Sequence, residues 1–178
     1  MDTIKLILPG PDYKEQVLKY KEEFIKNNDS MDGSGRLSEF DNFEDWYISV
    51  YNSLRGKNIK EGMVPATTYL AIRIADKKMI GMVDIRHRLN PFLANFGGHI
   101  GYSVRKSERN KGYGIEILAK ALKICNDMHL DNVLITCKKG NIASEKIIKK
   151  NGGFFYKEVP YEDTFIKHYW IKLNDNLK

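Results

Sequence analysis

The sequence predicts a single α/β domain, residues 1–178, built as a mixed sheet flanked by helices. Three observations carry this. Apolar residues recur at period two in some segments and near 3.6 in others, and the two kinds of segment interleave. The length of 178 residues suits one core rather than two. A hydrophobic content of 42% and a charged content of 29% are ordinary for a globular protein.

The elements follow in order. "TIKLIL" alternates Ile4, Leu6 and Leu8 and reads as a strand stopped by Pro9-Gly10. From Pro11 to about Asn27, Tyr13, Val17, Tyr20 and Phe24 share one helical face. Residues 28–42 are polar and rich in Gly and Ser, which predicts a loop. Phe43, Trp46, Tyr47, Val50, Tyr51 and Leu54 mark a second helix, whose aromatic face is read as core. "TTYLAIRIA" and "KMIGMVDIRH" are strands joined at Asp76-Lys77, and "GGHIGYSVR" is a third. Ile115, Leu118, Ala119, Leu122 and Cys125 then follow helical spacing, as do Ile117, Ala121, Ile124 and Met128, with Glu116, Lys120, Lys123 and Asp127 as the solvent stripe. "NVLITC" is a buried strand. Asn141 is placed to cap a short helix, "IASEKIIKK", that ends at Asn151-Gly152-Gly153. "FFYKEV" and "TFIKHYWIKL" are the closing strands. The order is β-α-α-β-β-β-α-β-α-β-β, read as a single layer of sheet.

Composition excludes several classes. No apolar run approaches the roughly 20 residues of a membrane span. "MDTIKLILPG" lacks the basic leader of a secretory signal, so a cytoplasmic protein with no membrane partner is expected. Cys125 and Cys137 match neither a disulfide framework nor a metal site, and both sit in apolar segments as buried thiols. The net charge of +6 has a definite location. Residues 104–150 hold eleven Lys and Arg against five acids, while the remainder is balanced at eighteen of each. A local anionic ligand accounts for such a concentration. Nucleic acid is not expected, because the bases centre on a glycine turn rather than on a stripe with aromatic residues.

That turn is "RNKGYGIEIL", Arg109 to Leu118. A strand, a Gly-rich turn and a helix in succession offer unpaired N–H groups at the positive end of a helix dipole. This is a phosphate site in outline. Gly112 and Gly114 allow close backbone approach, and Arg109 and Lys111 add charge. The Walker pattern is absent, and the dinucleotide fingerprint fails because its third glycine position is Ile117. The kinase motifs are missing too.

"VRKSERNKGYG", Val104 to Gly114, resembles the acyl-CoA-binding motif of the GNAT superfamily of N-acetyltransferases, R/Q-x-x-G-x-G/A between a strand and a helix. "NIASEKIIKKNGGF", Asn141 to Phe154, is similar to the family's second signature, and the element order matches over nearly the whole chain. The resemblance implies a GNAT-like fold and an enzyme that moves an acetyl group from acetyl-CoA, its cosubstrate, to a primary amine by direct attack in a ternary complex. It implies no metal. The strand carrying Val104 would splay from the neighbouring strand carrying Thr136, and pantetheine would lie in the gap and bond the main chain at Val104 and Lys106. The pyrophosphate would rest on the amides of Arg109, Asn110, Lys111, Gly112, Tyr113, Gly114 and Ile115, and Asn141 would reach the pantetheine arm. Aromatic outer strands could pair two copies into a homodimer, as in many relatives.

Attack by an amine calls for a base and an oxyanion donor, and the leaving thiolate gains from an acid. His99 is the first candidate base, near the start of its strand, with a structural histidine as the other reading. Asp84 and His87 come next, then Glu158 and Glu162. Many relatives carry a tyrosine seven residues after the signature asparagine; here that position is Ile148. Ser144, at the third position after Asn141, takes the place of the acid, as in some relatives. Ile148 also keeps open a non-catalytic acyl-CoA sensor. Residues 28–42 would line or cover the acceptor side, with Asp32, Arg36, Glu39 and Asp41 in reach of an amine.

Overall fold

A computed structural model describes residues 3–173. The eleven expected elements form in the expected order. They are β1 (Ile4–Ile7), α1 (Lys14–Lys26), α2 (Phe43–Leu54), β2 (Ala66–Arg73), β3 (Met79–Arg86), β4 (Ile100–Val104), α3 (Tyr113–Asp127), β5 (Asn132–Lys138), α4 (Ile142–Lys150), β6 (Phe154–Tyr161) and β7 (Thr164–Lys172).

The strands do not form one continuous ladder. They form a four-stranded sheet, β1-β2-β3-β4, and a three-stranded sheet, β5-β7-β6, with every ladder antiparallel. The two meet where Gly98 bridges Ile135, and the His99 N–H donates to Leu134 O at 2.7 Å. Beyond that point no ladder joins β4 to β5 among the described residues. The division follows from the irregular chain entering β4. Gly98 sits at φ +65, where a Cβ would lie 2.5 Å from Leu134 O, so only glycine lets the two backbones come this close before they part.

Helices cover both faces. On one side Val17, Tyr20 and Phe24 of α1 and Phe43, Trp46 and Val50 of α2 pack with Leu70, Ile72, Met79 and Met82. On the other, Ile117, Leu118, Ala121, Leu122 and Cys125 of α3 and Ile148 of α4 pack with Val83, Ile85, Val133, Ile135, Tyr169 and Ile171. The solvent stripe expected on α3 needs one correction. Glu116 turns inward along the edge of β1 and accepts the N–H groups of Thr3 and Ile4 at 2.8 and 2.9 Å.

Both cysteines are buried, and burial pushes their thiols up to about 12 at Cys125 and about 11 at Cys137, so neither is a nucleophile at neutral pH. Among the described residues no helix is long and apolar enough to cross a membrane, and none of them forms a cluster of metal-ligating side chains.

Candidate active site

The site is built around the gap between β4 and β5. Arg105 N–H bonds Ile80 O, in register with the pairs Val104↔Gly81 and Gly101↔Asp84. The alternation of an antiparallel ladder therefore turns the main-chain groups of Tyr102 and Val104 away from β3, toward the gap. At the far end of β4 the chain enters the glycine turn. Gly112 takes φ +86 as the N-cap of α3, and Asn110 takes φ 64. Among the described residues, no acceptor takes the N–H groups of Asn110, Lys111, Gly112, Tyr113 or Gly114. Those of Arg109 and Ile115 are engaged, by Lys106 O at 3.3 Å and Gly112 O at 3.0 Å. The open cradle is thus residues 110–114, narrower at each end than the sequence implied.

The two glycines differ in purpose. A Cβ at Gly112 would meet nothing within 4 Å, so its requirement is the left-handed backbone. A Cβ at Gly114 would lie 2.6 Å from Ile147 Cδ1 and 3.9 Å from Val104 Cγ2. Gly114 brings α3, α4 and β4 together at the mouth of the gap.

The basic side chains of the turn are already partnered. Arg109 donates from Nε to Val104 O at 2.9 Å, pairs with Asp29 at 3.1 Å and lies over the Phe24 ring. Lys106 Nζ reaches Asn27 Oδ1 at 2.9 Å. Lys111 Nζ pairs with Glu108 at 2.8 Å. Glu108, only 3% exposed, is also held by Lys78 and Arg73. Its contacts with Lys111 and Lys78 hold its carboxyl down at about 2. Much of the local positive charge therefore anchors the turn.

On the other side of the gap, Asn141 caps α4 through Oδ1, which accepts Ser144 N–H at 3.1 Å. Ser144 Oγ lies 3.0 Å from the hydroxyl of Tyr102, across the gap on β4. Burial raises the Tyr102 hydroxyl above the usual tyrosine range. Tyr102 escaped the sequence reading; the available signal was its shared period-two face with Val104. Ile148 is fully buried in the core, so the position where relatives carry tyrosine serves packing.

His99 requires a correction. It is 8% exposed, and its Nδ1 accepts the Leu134 N–H at 2.9 Å. A backbone N–H can only donate, so the neutral ring carries its proton on Nε2. The remaining nitrogen is then a donor, not the acceptor that a base needs. Burial also lowers its pKa. His99 is the clasp that joins the two sheets. Of the other candidates, His87 Nε2 is engaged by the Thr67 hydroxyl at 2.8 Å, Glu158 pairs with Lys139 at 3.1 Å, and Glu162 stands in the β6–β7 turn.

Asp84 is differently placed. It is buried on β3, bonded by the Thr68 hydroxyl at 2.8 Å and approached by Arg86 at 3.4 Å. With Arg86 it forms one wall of a cleft of about 380 Å³. Residues 29–39 form the other wall, Asp32, Arg36 and Glu39 among them. Asp41 lies outside it. The 28–42 segment is no slack loop. Ser103 Oγ donates to Asp32 O at 2.5 Å, Trp46 Nε1 donates to Ser34 O at 2.9 Å, and Leu37 is buried. It is a strap fixed across β4. Asp84 and Gly101 are cross-strand partners and share this face. Tyr102 and Val104 side chains pack on the opposite one.

Comparison with known proteins agrees with this architecture. Residues 19–153 match the model of the acetyltransferase (GNAT) domain family. The chain is 32% identical over 90 residues to the uncharacterized N-acetyltransferase YnaD of Bacillus subtilis (strain 168), a match over 46% of this chain and 53%, about half, of that relative. Two solved structures share the fold. One is the Salmonella typhimurium acetyltransferase that modifies the N-terminal serine of ribosomal protein L7/L12 (TM-score 0.68, 14% identity, 98% of this chain and 97% of that one). The other is the microcin C7 self-immunity acetyltransferase MccE, solved with acetyl-CoA and AMP (TM-score 0.63, 17% identity, 97% and 94%). Strand splay, glycine turn and both signatures thus lead to one conclusion: the chain belongs to the GNAT family of acetyltransferases, whose acyl donor is acetyl-CoA.

Proposed function

We propose that this protein is an N-acetyltransferase that moves the acetyl group of acetyl-CoA to a primary amine by direct attack in a ternary complex. One observation carries the reading: five unpaired amides, residues 110–114, stand at the N-terminus of α3 beside the open edge of β4. Pyrophosphate fits the amides and the helix dipole. The pantetheine arm follows the gap, bonding the main chain of Val104 and passing Lys106 and Asn141.

A lysine-like amine has a pKa near 10.4, so only about one molecule in 10³ is neutral at pH 7. The cleft under the strap carries more carboxylates than guanidinium groups, which gathers such a cation. Asp84 takes the proton, directly or through one water, in the role that His99 cannot fill. The amine nitrogen bonds the acyl carbon, and the Tyr102 N–H, which faces the gap, donates to the oxyanion. The C–S bond then breaks and sulfur keeps its electron pair. Asp84 and the Tyr102 side chain occupy opposite faces of the sheet, so the amine arrives from one side and the thiolate departs on the other.

Calorimetric titration with acetyl-CoA tests the reading, with Gly112→Trp as the blocked variant. The side chain at 112 would project into open space, so the fold bears only the strain of a left-handed backbone, about 1–2 kcal/mol. Binding to the parent that is lost in the folded variant is the expected result. A folded parent that binds no acetyl-CoA refutes the reading.

A further inference from the structure

We propose a second ligand site, for a nucleoside phosphate, on the flank of α4 that faces away from the acetyl-CoA gap. A cavity of about 720 Å³ lies there, between α4 and one face of the β5-β7-β6 sheet. It has the size of a small-molecule pocket and shares no residue with the 110–114 cradle or with the cleft under the strap. The helix divides between the two sites. Ile147 packs toward Gly114 at the mouth of the gap, while Glu145 and Lys149 lie about 200° away around the helix and line the cavity. On the sheet, Lys167 and Tyr169 stand two apart on β7, and their partners across the ladder on β6 are Glu158 and Phe155. All four therefore share one face.

The charge in the cavity is organised. Lys139, Lys149, Lys157 and Lys167 bring four ammonium groups against the two carboxylates of Glu145 and Glu158. Glu145 holds Lys149 at 2.7 Å and Lys167 at 2.9 Å, and Glu158 holds Lys139 at 3.1 Å. The acids lie deeper than the lysines at the rim, with Glu145 17% exposed against 56% for Lys149. Each ammonium held in this way keeps further N–H donors. Lys157 rests over the Tyr156 ring and pairs with no carboxylate among the described residues. The acids thus fix the lysines in place, and an excess of two positive charges faces the opening.

Tyr169 is the independent sign of a ligand. It is fully buried and lines the same cavity, yet its hydroxyl makes no hydrogen bond of normal geometry among the described residues. Burial first, and the nearby Glu145 carboxylate second, keep the phenol protonated, so the group is a donor. A buried hydroxyl left without a partner is costly and uncommon, and an anionic oxygen in the cavity would complete it. The cations are all lysines. As point charges they can converge on several phosphate oxygens, whereas a single carboxylate is better gripped by a guanidinium fork. Beside them the Phe155 ring, 51% exposed, meets Tyr169 edge-on at 5.8 Å and leaves a face for a flat ring. Phosphates on the lysines and the tyrosine, with a base on Phe155, make a nucleoside phosphate the ligand that fits.

Calorimetric titration tests the site independently of acetyl transfer. Adenosine triphosphate, inorganic tripolyphosphate and adenosine are the probes. They are added to Gly112→Trp protein, whose α3 cradle is blocked, and to the parent. One triphosphate should bind in the cavity of both. Lys149→Gln with Lys157→Gln should weaken it at least about tenfold, and Tyr169→Phe about three- to tenfold. Phe155→Ala should weaken the nucleotide but not tripolyphosphate. Lys5→Gln, exposed on β1 of the other sheet, controls for total charge and should change affinity less than about twofold. Tyr169→Phe keeps the buried ring and Lys149, Lys157 and Phe155 are exposed, so the cavity variants should fold. The same variants in the parent background keep the test intact if Gly112→Trp does not fold. No triphosphate bound by folded protein, or binding that follows salt and total charge while ignoring Tyr169, overturns the proposal. Tripolyphosphate bound as tightly as the nucleotide, with Phe155→Ala without effect, overturns the assignment to a nucleoside.

Discussion

Gly33→Ala is the sharpest probe of how the acceptor cleft is held. Gly33 lies at the centre of the strap at φ +72. A Cβ there would fall 2.0 Å from Gly101 O, 2.3 Å from its carbonyl carbon and 2.6 Å from Tyr102 N. All three are main-chain atoms of β4, a strand that cannot shift without breaking its ladder to β3. The left-handed backbone alone costs about 1–2 kcal/mol in a non-glycine residue. An overpacked contact adds about 1–3 kcal/mol. The sum, about 2–5 kcal/mol, is a large share of the roughly 5–15 kcal/mol that stabilises a typical domain. Gly62→Ala is the control, since Gly62 has φ +79 and nothing within 4 Å of its Cβ position. It carries the backbone strain without the collision. Urea unfolding of both variants separates the two effects. Gly33→Ala should be at least about 2 kcal/mol less stable than Gly62→Ala, or should lift the strap and free Trp46 from Ser34, a change visible in tryptophan fluorescence. Equal stabilities with unchanged fluorescence would refute the claim that the strap is clamped to β4.

Three further outcomes are expected. Glu108→Gln leaves Arg73, Lys78 and Lys111 without their shared carboxylate and should cost about 2 kcal/mol at pH 7, less than a fully buried pair because Lys78 and Lys111 can turn to water. The folded pKa of Glu108 is depressed, so its contribution is present above pH 4.5 and fades toward pH 2; denaturation curves of the variant should be flatter across that window. His87, His99 and His168 are all lowered by burial, so their folded forms resist protonation; stability should be fully present above about pH 6.5 and fall as pH drops below it, and His99→Gln should reduce that slope. Asp84→Asn should reduce kcat about 10²-fold or more while acetyl-CoA affinity measured by calorimetry stays within about threefold, the mark of a group that serves the acceptor side.

The fold was legible because its determinants are local. The period-two run through Ile4 and Leu6, the 3.6 period through Val17, Tyr20 and Phe24, and the Asn141 cap each decide their own element. The glycine turn was legible for the same reason. The parting of β4 from β5 was implied by the family resemblance alone and not by the residues themselves, because it depends on Gly98 and Leu134 meeting across 36 positions of sequence. His99 shows how composition misleads: a histidine at a strand start has the right intrinsic pKa for a base, but the Leu134 N–H decides which nitrogen carries the proton. Tyr102 was hidden for the opposite reason, since a tyrosine on a strand reads as packing until α4 brings Ser144 to its hydroxyl. The strap was called by its polar composition as a loop, while its order comes from Gly33, Leu37 and the carbonyl of Ser34, each with a partner far away in sequence.

The same distinction bears on how the cofactor is held. Residues 104–150 carry the whole net charge of the chain, which taken alone suggests a basic patch that binds phosphate by side-chain attraction. Yet Arg105 pairs with Glu23 at 2.6 Å, Arg109 with Asp29, Lys111 with Glu108, and Lys106 with Asn27. Three of these four fasten the turn to α1 or to the segment just after it. Swinging Lys111 onto a phosphate would deprive a 3% exposed carboxylate of one of its cations. Affinity should then come chiefly from the five amides, which hydrogen-bond at contact distance and are screened less than separated charges, with the α3 dipole adding a smaller, salt-sensitive part. The dissociation constant of acetyl-CoA should rise less than about tenfold between roughly 0.05 and 0.5 M salt, where the screening length shrinks from about 14 to about 4 Å. Lys111→Ala should weaken binding by less than about fivefold. A loss of about 100-fold with salt, removed by Lys111→Ala and Arg109→Ala together, would show that the side chains leave their partners and carry the phosphate after all.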